Sequence, residues 1–466
     1  MLCSSGLHAQ GTVSWRPQVQ RGHVRRAYIR IVSSSIWMSS IKQVLSDDMV
    51  GKKVQLRGWL YRTRSSGGIV FAVLRDSTGI VQVTVKKGNV PDHDFEDATK
   101  AAIESSVIIE GEMAGDKRAP GGFEVRASRF TAVGFAEPFP ITEYQSTELL
   151  LDQRHLWIRS REQNAVAKVK AAMLKGARDW FHENDYVEVT PPIVTAVAPE
   201  DSTTLFQIKY FDRIAYLSQS AQFYLESLIF SLEKVYSLTP SFRAEKSRTP
   251  RHLAEYWHME MEAAWMDNEG NMEVQEQLVT AMLQNAVKEC SAELQLLKRD
   301  PATLRKIEPP FERMKYQEAM DYLQSKGHDV KWGSDLGAVE ERTITIDKEL
   351  PVFIVNYPKE LKPFYMKENP EDPRTYKNSD LLAPEGFGEI IGGSERETDN
   401  ARMIAWLEEK GESLDNYKWY LDLRRYGSVP HSGFGLGIER IVTWVCKLDH
   451  IRDAIPYPRT VARVYP

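Results

Sequence analysis

Long apolar runs are missing from this chain. No stretch approaches the roughly 18 residues that a membrane-spanning helix requires, so no membrane span is expected. Cysteine is scarce. Cys3, Cys290 and Cys446 are the three, none close to another, which excludes a CxxC metal site and a disulfide framework and fits a reducing compartment. An excess of positive charge is absent as well. With 60 Lys and Arg against 65 Asp and Glu, the net charge is -5, so a nucleic acid would have to be held by local basic patches. Internal repeats and low-complexity tracts are also lacking. What is present is the material of a large globular core, with 42% hydrophobic and 27% charged residues. At roughly 150 residues per domain, the 466 residues imply two or three domains.

Acidic residues are wholly missing before Asp47, while Arg16, Arg21, Arg25, Arg26 and Arg30 are interleaved with Ser and apolar residues. That is the composition of a mitochondrial transit peptide. The preferred reading is a start at Met38 with an upstream extension of the reading frame, because the chain from Ile41 already reads as the first element of a domain. Residues 1–38 are therefore expected to be a disordered leader or extension. The expected location is cytoplasmic, or mitochondrial if the leader is genuine.

Residues 51–133 read as strands. VQLRGWLYRTR, IVFAVLRDSTGIVQVTV, SVIIEGEM and FEVRASRFTAV alternate or cluster β-formers around Gly- and Ser-rich turns such as Ser65-Ser66-Gly67-Gly68. Several short strands with a charged helix near 92–104 suit a small barrel of the OB type, assigned to 39–133, which often holds single-stranded nucleic acid. FAEPFPITEY has two prolines and no helical period, which places a linker over 134–150. Residues 151–466 then mix strands and helices in an α+β pattern. Helices are expected at 160–184 and 219–233, with a polar one at 269–298, and a strand at YVEVT ends at Pro191-Pro192.

Three segments carry side chains suited to chemistry. In SLTPSFRAEKSRTPRHLAEYWHMEMEAAW, two strands, Tyr236–Thr239 and His258–Ala263, flank a loop with Arg243, Lys246, Arg248, Arg251 and His252. Such a loop can aim several cations at one polyanion, and the planar fork of Arg matches phosphate. Alone, a basic loop is more often simply solvated. In SVPHSGFGLGIERIVTWV, Gly433, Gly435 and Gly437 would let backbone approach a ligand, and Arg440 sits in the first turn of a buried helix, against the helix dipole. A lone GxGxG is more often a turn. In SDLLAPEGFGEIIGGSERE, Asp380 and Glu389 are hard oxygen ligands suited to Mg²⁺, with Ser394 and Arg396 after a glycine pair. Taken singly, these acids read as surface residues.

Together with YVEVTPPIV, and in their order along the chain, these segments resemble the motifs of the class II aminoacyl-tRNA synthetases. YVEVTPPIV, with Pro192, is similar to motif 1, FRAE with RHLAEYWHMEME to motif 2, and GFGLGIERI to motif 3. The barrel ahead of them resembles the arrangement of the aspartate, asparagine and lysine subgroup, in its archaeal-like form. The resemblance spans about residue 40 to 466. It implies a class II catalytic domain, an antiparallel sheet flanked by helices, and a homodimer formed through motif 1. It implies a ligase that uses ATP and Mg²⁺, with Arg243, Glu245 and Arg440 as catalytic residues. Arg243 would hold the amino-acid carboxylate and the α-phosphate, and Glu245 would meet the adenine amino group. Arg251 and His252 would meet the γ-phosphate, Leu253 would line the ATP site, and Tyr256 and Arg440 would sandwich adenine. Asp380 and Glu389 would hold the metal, a pair spaced two residues closer in the aspartate enzymes.

The resemblance also bears on the amino acid. In LSQSAQFYLESL, Leu225 stands where the aspartate enzymes carry a lysine for the substrate carboxylate, and Glu226 follows it. Gln222, Leu225 and Glu226 fall on about one helix face. A Glu there can accept from a carboxamide NH₂ and repel a carboxylate. Gln222, Glu226, Arg243, Ser394 and Arg396 are the expected amino-acid ligands, asparagine the expected substrate and tRNA(Asn) the expected partner. The alternative is an aspartyl enzyme that does not discriminate between the two. An amide-forming synthetase paralogue would lack the barrel, and a catalytically silent RNA-binding relative would lack Arg243, Glu245, Glu389 and Arg440. In the barrel, Phe71 and Gln82 match positions that read the central anticodon uridine, and Arg57, Arg62, Arg64 and Arg75 are candidates for phosphate contacts. Phe71 could equally belong to the barrel core.

Overall fold

The computed structural model describes residues 39–142, 145–196, 204–247 and 249–466. The leader reading of residues 1–38 and the cation Arg248 lie outside them. The chain divides into two compact units, with the boundary after Thr142.

In the N-terminal unit, a short helix α1 (Ile41–Val44) precedes strands β1 (Lys53–Ser66), β2 (Ile69–Arg75) and β3 (Ile80–Lys86). Helix α2 (Asp92–Lys100), β4 (Ser106–Gly115) and β5 (Phe123–Gly134) follow. The strands close into a barrel in the order β1-β2-β3-β5-β4. Strict alternation fills it: Val54, Leu56, Val70, Ala72, Leu74, Val81, Val83 and Val85 are buried, and the residues between them face outward. The expected turn joins β1 to β2 at Gly67-Gly68, both at positive φ.

The C-terminal unit begins with α3 (Thr147–Asp152), α4 (Arg154–Trp157) and α5 (Arg161–Glu183), then β6 (Val187–Glu188), β7 (Val194–Thr195), β8 (Gln207–Tyr210) and β9 (Arg213–Leu217). Next come α6 (Gln222–Leu232), β10 (Lys234–Phe242), β11 (Glu255–Ala264), α7 (Asn268–Leu296), α8 (Pro301–Arg305), β12 (Glu312–Lys315), α9 (Tyr316–Ser325) and α10 (Ala338–Thr345). The chain finishes with β13 (Val352–Val355), β14 (Asn378–Ala383), β15 (Gly388–Glu395), α11 (Asn400–Glu409), α12 (Leu414–Arg425), β16 (His431–Gly437) and α13 (Ile438–Val445). Among the described residues, eight strands form one sheet in the order β12-β13-β14-β15-β16-β11-β10-β6, antiparallel except at β12–β13 and β10–β6.

Alternation gives this sheet one apolar and one polar face. Along β11, Met259, Met261 and Ala263 join the core with α5, α7 and α13, while His258, Glu260 and Glu262 point the other way. The helix read as polar, α7, is in fact a core helix. Met272, Val279, Leu283, Val287 and Leu294 recur at helical spacing and are buried. Its many Glu and Gln residues hide that stripe in the raw composition.

Candidate active site

The polar sheet face carries two neighbouring cavities that share Arg243, His258, Glu389 and Gly435 in their walls. Arg243 follows β10, where its backbone N–H donates to the Ala254 carbonyl at 3.0 Å. Its guanidinium lies 5.7 Å from the Tyr256 ring centroid, a cation–π distance. Arg243, Arg251, His252, Leu253, Tyr256, Glu389 and Arg440 all line the first cavity, so the motif-2 and motif-3 residues converge as the resemblance implies. Glu245 stands beside them, 3.9 Å from Arg243 and 3.8 Å from His252.

Carboxylates hold these cations in place. Arg251 Nη1 donates to Glu341 Oε2 at 2.6 Å and Nη2 to the Glu389 carbonyl at 3.2 Å. Arg440 Nη1 donates to Glu389 Oε2 at 2.7 Å. Burial alone would raise the Glu389 carboxyl, but the Arg440 and Lys362 charges outweigh it and hold the group at about 2. Burial lowers His252, and the Arg440 charge lowers it further, so near neutral pH it is an uncharged imidazole.

Asp380 and Glu389 sit on the adjacent strands β14 and β15. Asp380 Oδ2 accepts from Lys362 Nζ at 2.6 Å and Glu389 Oε2 from Arg440, the Tyr357 hydroxyl also bonds the Asp380 carboxylate, and the second oxygens of the two groups are Oδ1 and Oε1. Those two oxygens each lie 3.5 Å from the point a Cβ would occupy on Gly392. The glycine therefore keeps a space open between two hard oxygen donors, which fits a Mg²⁺ that draws its remaining ligands from phosphate and water. Gly392→Ala fills that space. The expected result is a roughly tenfold weaker Mn²⁺ affinity by electron paramagnetic resonance in the presence of a non-hydrolysable ATP analogue, with unchanged thermal stability. Unaltered Mn²⁺ affinity would contradict the placement.

The glycines of β16 line the cavities at Gly435 and Gly437 and also make room for side chains of β11. A Cβ on Gly433 would stand 2.2 Å from the Glu262 carboxyl, and one on Gly435 2.4 Å from His258 Nε2. Gly433 and Gly435 pair with Glu262 and Glu260 across the ladder, so they make room for the polar side chains of β11.

The second cavity, of about 360 Å³, is lined by Gln222, Arg243, Glu262, Lys362, Asp380, Glu389 and Arg396, among others. Arg396 is buried, with Nε donating to Glu262 Oε1 at 3.1 Å and Nη2 in close contact with the same carboxylate. Its Nη1 donates to Ser394 Oγ at 2.7 Å, so Ser394 supports the arginine and is not itself in the cavity wall. Glu226 differs from expectation. It is fully buried, and four neighbours on three elements occupy its two oxygens: Gln222, Tyr420, Arg424 and His431. It stands one layer behind Gln222, out of direct reach of a ligand. Leu225 packs into an apolar cluster with Ala221, Ile229 and Val235 and supplies no cation. Tyr420, Arg424 and Glu341 were not singled out from sequence, and their long-range pairings leave no local signal.

In the barrel unit, Phe71 faces outward. Its neighbours Val70 and Ala72 fill the core, and Arg64 lies over its ring at 4.9 Å. Gln82 lies on the same outer face of the next strand, where its Nε2 donates to Glu124 at 3.2 Å. Arg57, Arg62 and Arg64 are exposed, but Arg75 is half-buried against Glu104 at 2.9 Å and is not free for phosphate.

An antiparallel sheet whose polar face holds a phosphate-type arginine loop, a carboxylate pair and a glycine-rich strand before Arg440 defines a synthetase of class II. The family model for class II tRNA synthetases (D, K and N) matches residues 146–461, and the chain belongs to that family. A model for OB-fold nucleic acid binding domains matches residues 54–133.

Within the family the chain is similar to asparagine–tRNA ligases. It is 54% identical to the ligase of Thermococcus kodakarensis over 423 residues, which covers 91% of this chain and 98% of that one. The asparaginyl-tRNA synthetase of Pyrococcus horikoshii, solved with asparaginyl-adenylate, superposes with a TM-score of 0.88 at 54% identity over 91% of this chain and 98% of that one. That of Entamoeba histolytica, also with asparaginyl-adenylate, gives 0.81 at 32% identity over 89% and 97%.

Proposed function

We infer that this chain joins asparagine to tRNA(Asn) with ATP, through an asparaginyl-adenylate and with release of pyrophosphate and AMP. The observation that carries the reading is the meeting of Arg243, Arg396 and Gln222 in one cavity wall, beside the cavity of Arg251, Tyr256 and Arg440. Arg243 lines both, where an amino acid and a nucleotide would meet.

The chemistry follows from the charges. The asparagine α-carboxylate is ionised at neutral pH, so attack on the α-phosphorus needs no general base. The site has to bring two anions together and neutralise the charge that develops on the phosphoryl oxygens. Arg243 is placed to hold both anions, Arg251 and His252 the terminal phosphate, and Tyr256 with Arg440 the adenine. Mg²⁺, held by Asp380 and Glu389, would add charge neutralisation at the phosphates. Arg396 is placed to donate to the side-chain oxygen of asparagine. The second step passes the aminoacyl group to the terminal ribose, at the 3′-hydroxyl in this class.

The outward Phe71, with Gln82 on its face, supports anticodon reading by stacking and base-edge bonds. Phe71→Ala is expected to lower kcat/KM for tRNA charging by about 10- to 100-fold, as loss of one base stack implies, and to leave pyrophosphate exchange intact. Equal charging by the variant would remove Phe71 from the interface. A homodimer through motif 1 is supported by the edge position of β6 and by exposed Val187, Ile193 and Val194. No helix among the described residues is long and apolar enough to cross a membrane. The proposed location is cytoplasmic, and mitochondrial if residues 1–38 act as a transit peptide. Charging of a tRNA(Asn) transcript with labelled asparagine tests the whole reading, and absence of charging with intact ATP binding would contradict it.

A further inference from the structure

Glu226 sits at the centre of a buried polar cluster behind the amino-acid cavity. Its Oε1 accepts from Gln222 Nε2 at 2.9 Å and from the Tyr420 hydroxyl at 2.7 Å. Its Oε2 accepts from Arg424 Nη2 at 2.7 Å, with His431 Nε2 3.0 Å away. Arg424 and Tyr420 come from α12, His431 from β16, and Gln222 from the first residue of α6. Arg424 is itself fixed, because its Nε donates to the Glu397 carbonyl at 3.0 Å and its side chain is fully buried. Only Gln222 of this set reaches the cavity wall.

An ionised carboxylate accepts hydrogen bonds and donates none. Glu226 therefore fixes the Gln222 side chain by its NH₂ end, which turns Oε1 away from Glu226 and toward the cavity. An acceptor presented there favours a ligand that offers N–H and opposes a ligand carboxylate. This arrangement holds only while Glu226 is an anion, and a fully buried anion needs a counter-charge. Burial pushes the Glu226 carboxyl up, but the Arg424 charge and the His431 contact more than reverse that and hold it well below the usual carboxylate range.

We propose that Arg424 is a specificity-positioning residue which, through Glu226, locks the Gln222 amide with its oxygen toward the cavity, so that the site takes a carboxamide side chain and rejects the isosteric carboxylate. The inference rests on the asparagine reading above and adds a layer that does not touch the substrate. Without Arg424, Glu226 loses its buried ion-pair partner and its carboxyl shifts upward, and in its protonated form it is a donor as well as an acceptor. Gln222 can then be held by its oxygen, with its NH₂ turned to the cavity, which is the arrangement that suits aspartate.

The test is pyrophosphate exchange with asparagine and with aspartate, on full-length wild type, Arg424→Met, Arg424→Lys and Glu226→Gln. For Arg424→Met, the ratio of kcat/KM for aspartate to that for asparagine is expected to rise about tenfold or more, mainly through the two KM values, the change one reversed hydrogen bond implies. Glu226→Gln keeps the shape, can hold Gln222 either way round, and is expected to raise the ratio similarly. Arg424→Lys restores a cation and is expected to stay near the wild-type ratio. If Arg424→Met does not fold, Glu226→Gln decides alone. A wild-type ratio in folded Arg424→Met or Glu226→Gln would overturn the proposal. Failure of wild type to exchange with asparagine would instead overturn the functional reading.

Discussion

Arg243→Ala is expected to abolish adenylate formation while leaving tRNA binding in place. The residue lines both cavities, so it is placed at the junction where carboxylate and α-phosphate must be held together. Loss of a single preorganised donor to a developing oxyanion costs about 10²- to 10³-fold in rate. Arg243 carries a full charge and is placed to serve both reactants, so a fall of at least about a thousandfold in asparagine-dependent exchange is expected, or about 4 kcal/mol of transition-state stabilisation. A gel-shift or filter-binding titration with tRNA should give a Kd within about twofold of wild type, because the barrel residues are untouched. Retention of exchange activity in the variant would exclude the assigned role.

Arg396→Ala is expected to have the next largest effect, on two measurements at once. Arg396 is the buried partner of Glu262, and it lies against Tyr365 with its guanidinium 5.5 Å from the ring centroid. Burial already pushes the Glu262 carboxyl up to about 8 with the cation beside it, so truncation leaves it protonated and short of its donors, which costs about 1–3 kcal/mol of stability for an unpaired buried polar group. The same truncation removes the donor assigned to the asparagine side-chain oxygen. The asparagine KM is then expected to rise by about 100-fold. Glu262→Met in the same background removes the unpaired buried carboxyl. It should recover much of the thermal stability without recovering the KM, and recovery of both would show that Arg396 acts only by supporting the fold.

Much of this was legible in the chain because local patterns carry it. The alternation in IVFAVLR and IVQVTV marks two barrel strands, but which face Phe71 occupies is settled only by the structure, which puts Val70, Ala72, Val81 and Val83 inside. The alternation His258-Met259-Glu260-Met261-Glu262 likewise divides an apolar from a polar sheet face. Motifs 2 and 3, read together, named Arg243, Arg251, His252, Tyr256 and Arg440, which line the first cavity. What stayed hidden depends on partners distant in sequence. Glu226 looks like a ligand residue from its position beside Leu225, yet Tyr420, Arg424 and His431, which fix it, lie 194 to 205 residues further on. Arg75 looks like a free cation until Glu104 is seen beside it. Gly433 and Gly435 look like a ligand-binding loop, but they lie on a strand whose register sets them opposite Glu262 and Glu260, with Gly435 still in both cavity walls. Helix α7 looks polar because its buried apolar stripe is diluted by Glu and Gln, of which Gln275 and Glu276 are themselves buried.

These particulars sharpen the question of the amino acid. Absence of a lysine at Leu225 removes an attraction for aspartate, and the Arg424–Glu226–Gln222 chain supplies a preference for the amide. Sites that leave polar groups unpaired with the wrong ligand can discriminate by about 10⁴-fold without editing. The most direct test of the central claim is ATP–pyrophosphate exchange by the wild-type protein with asparagine and with aspartate as the sole amino acid. Rapid exchange with asparagine and a kcat/KM at least about a thousandfold lower with aspartate is the predicted result, and comparable exchange with the two amino acids would contradict it.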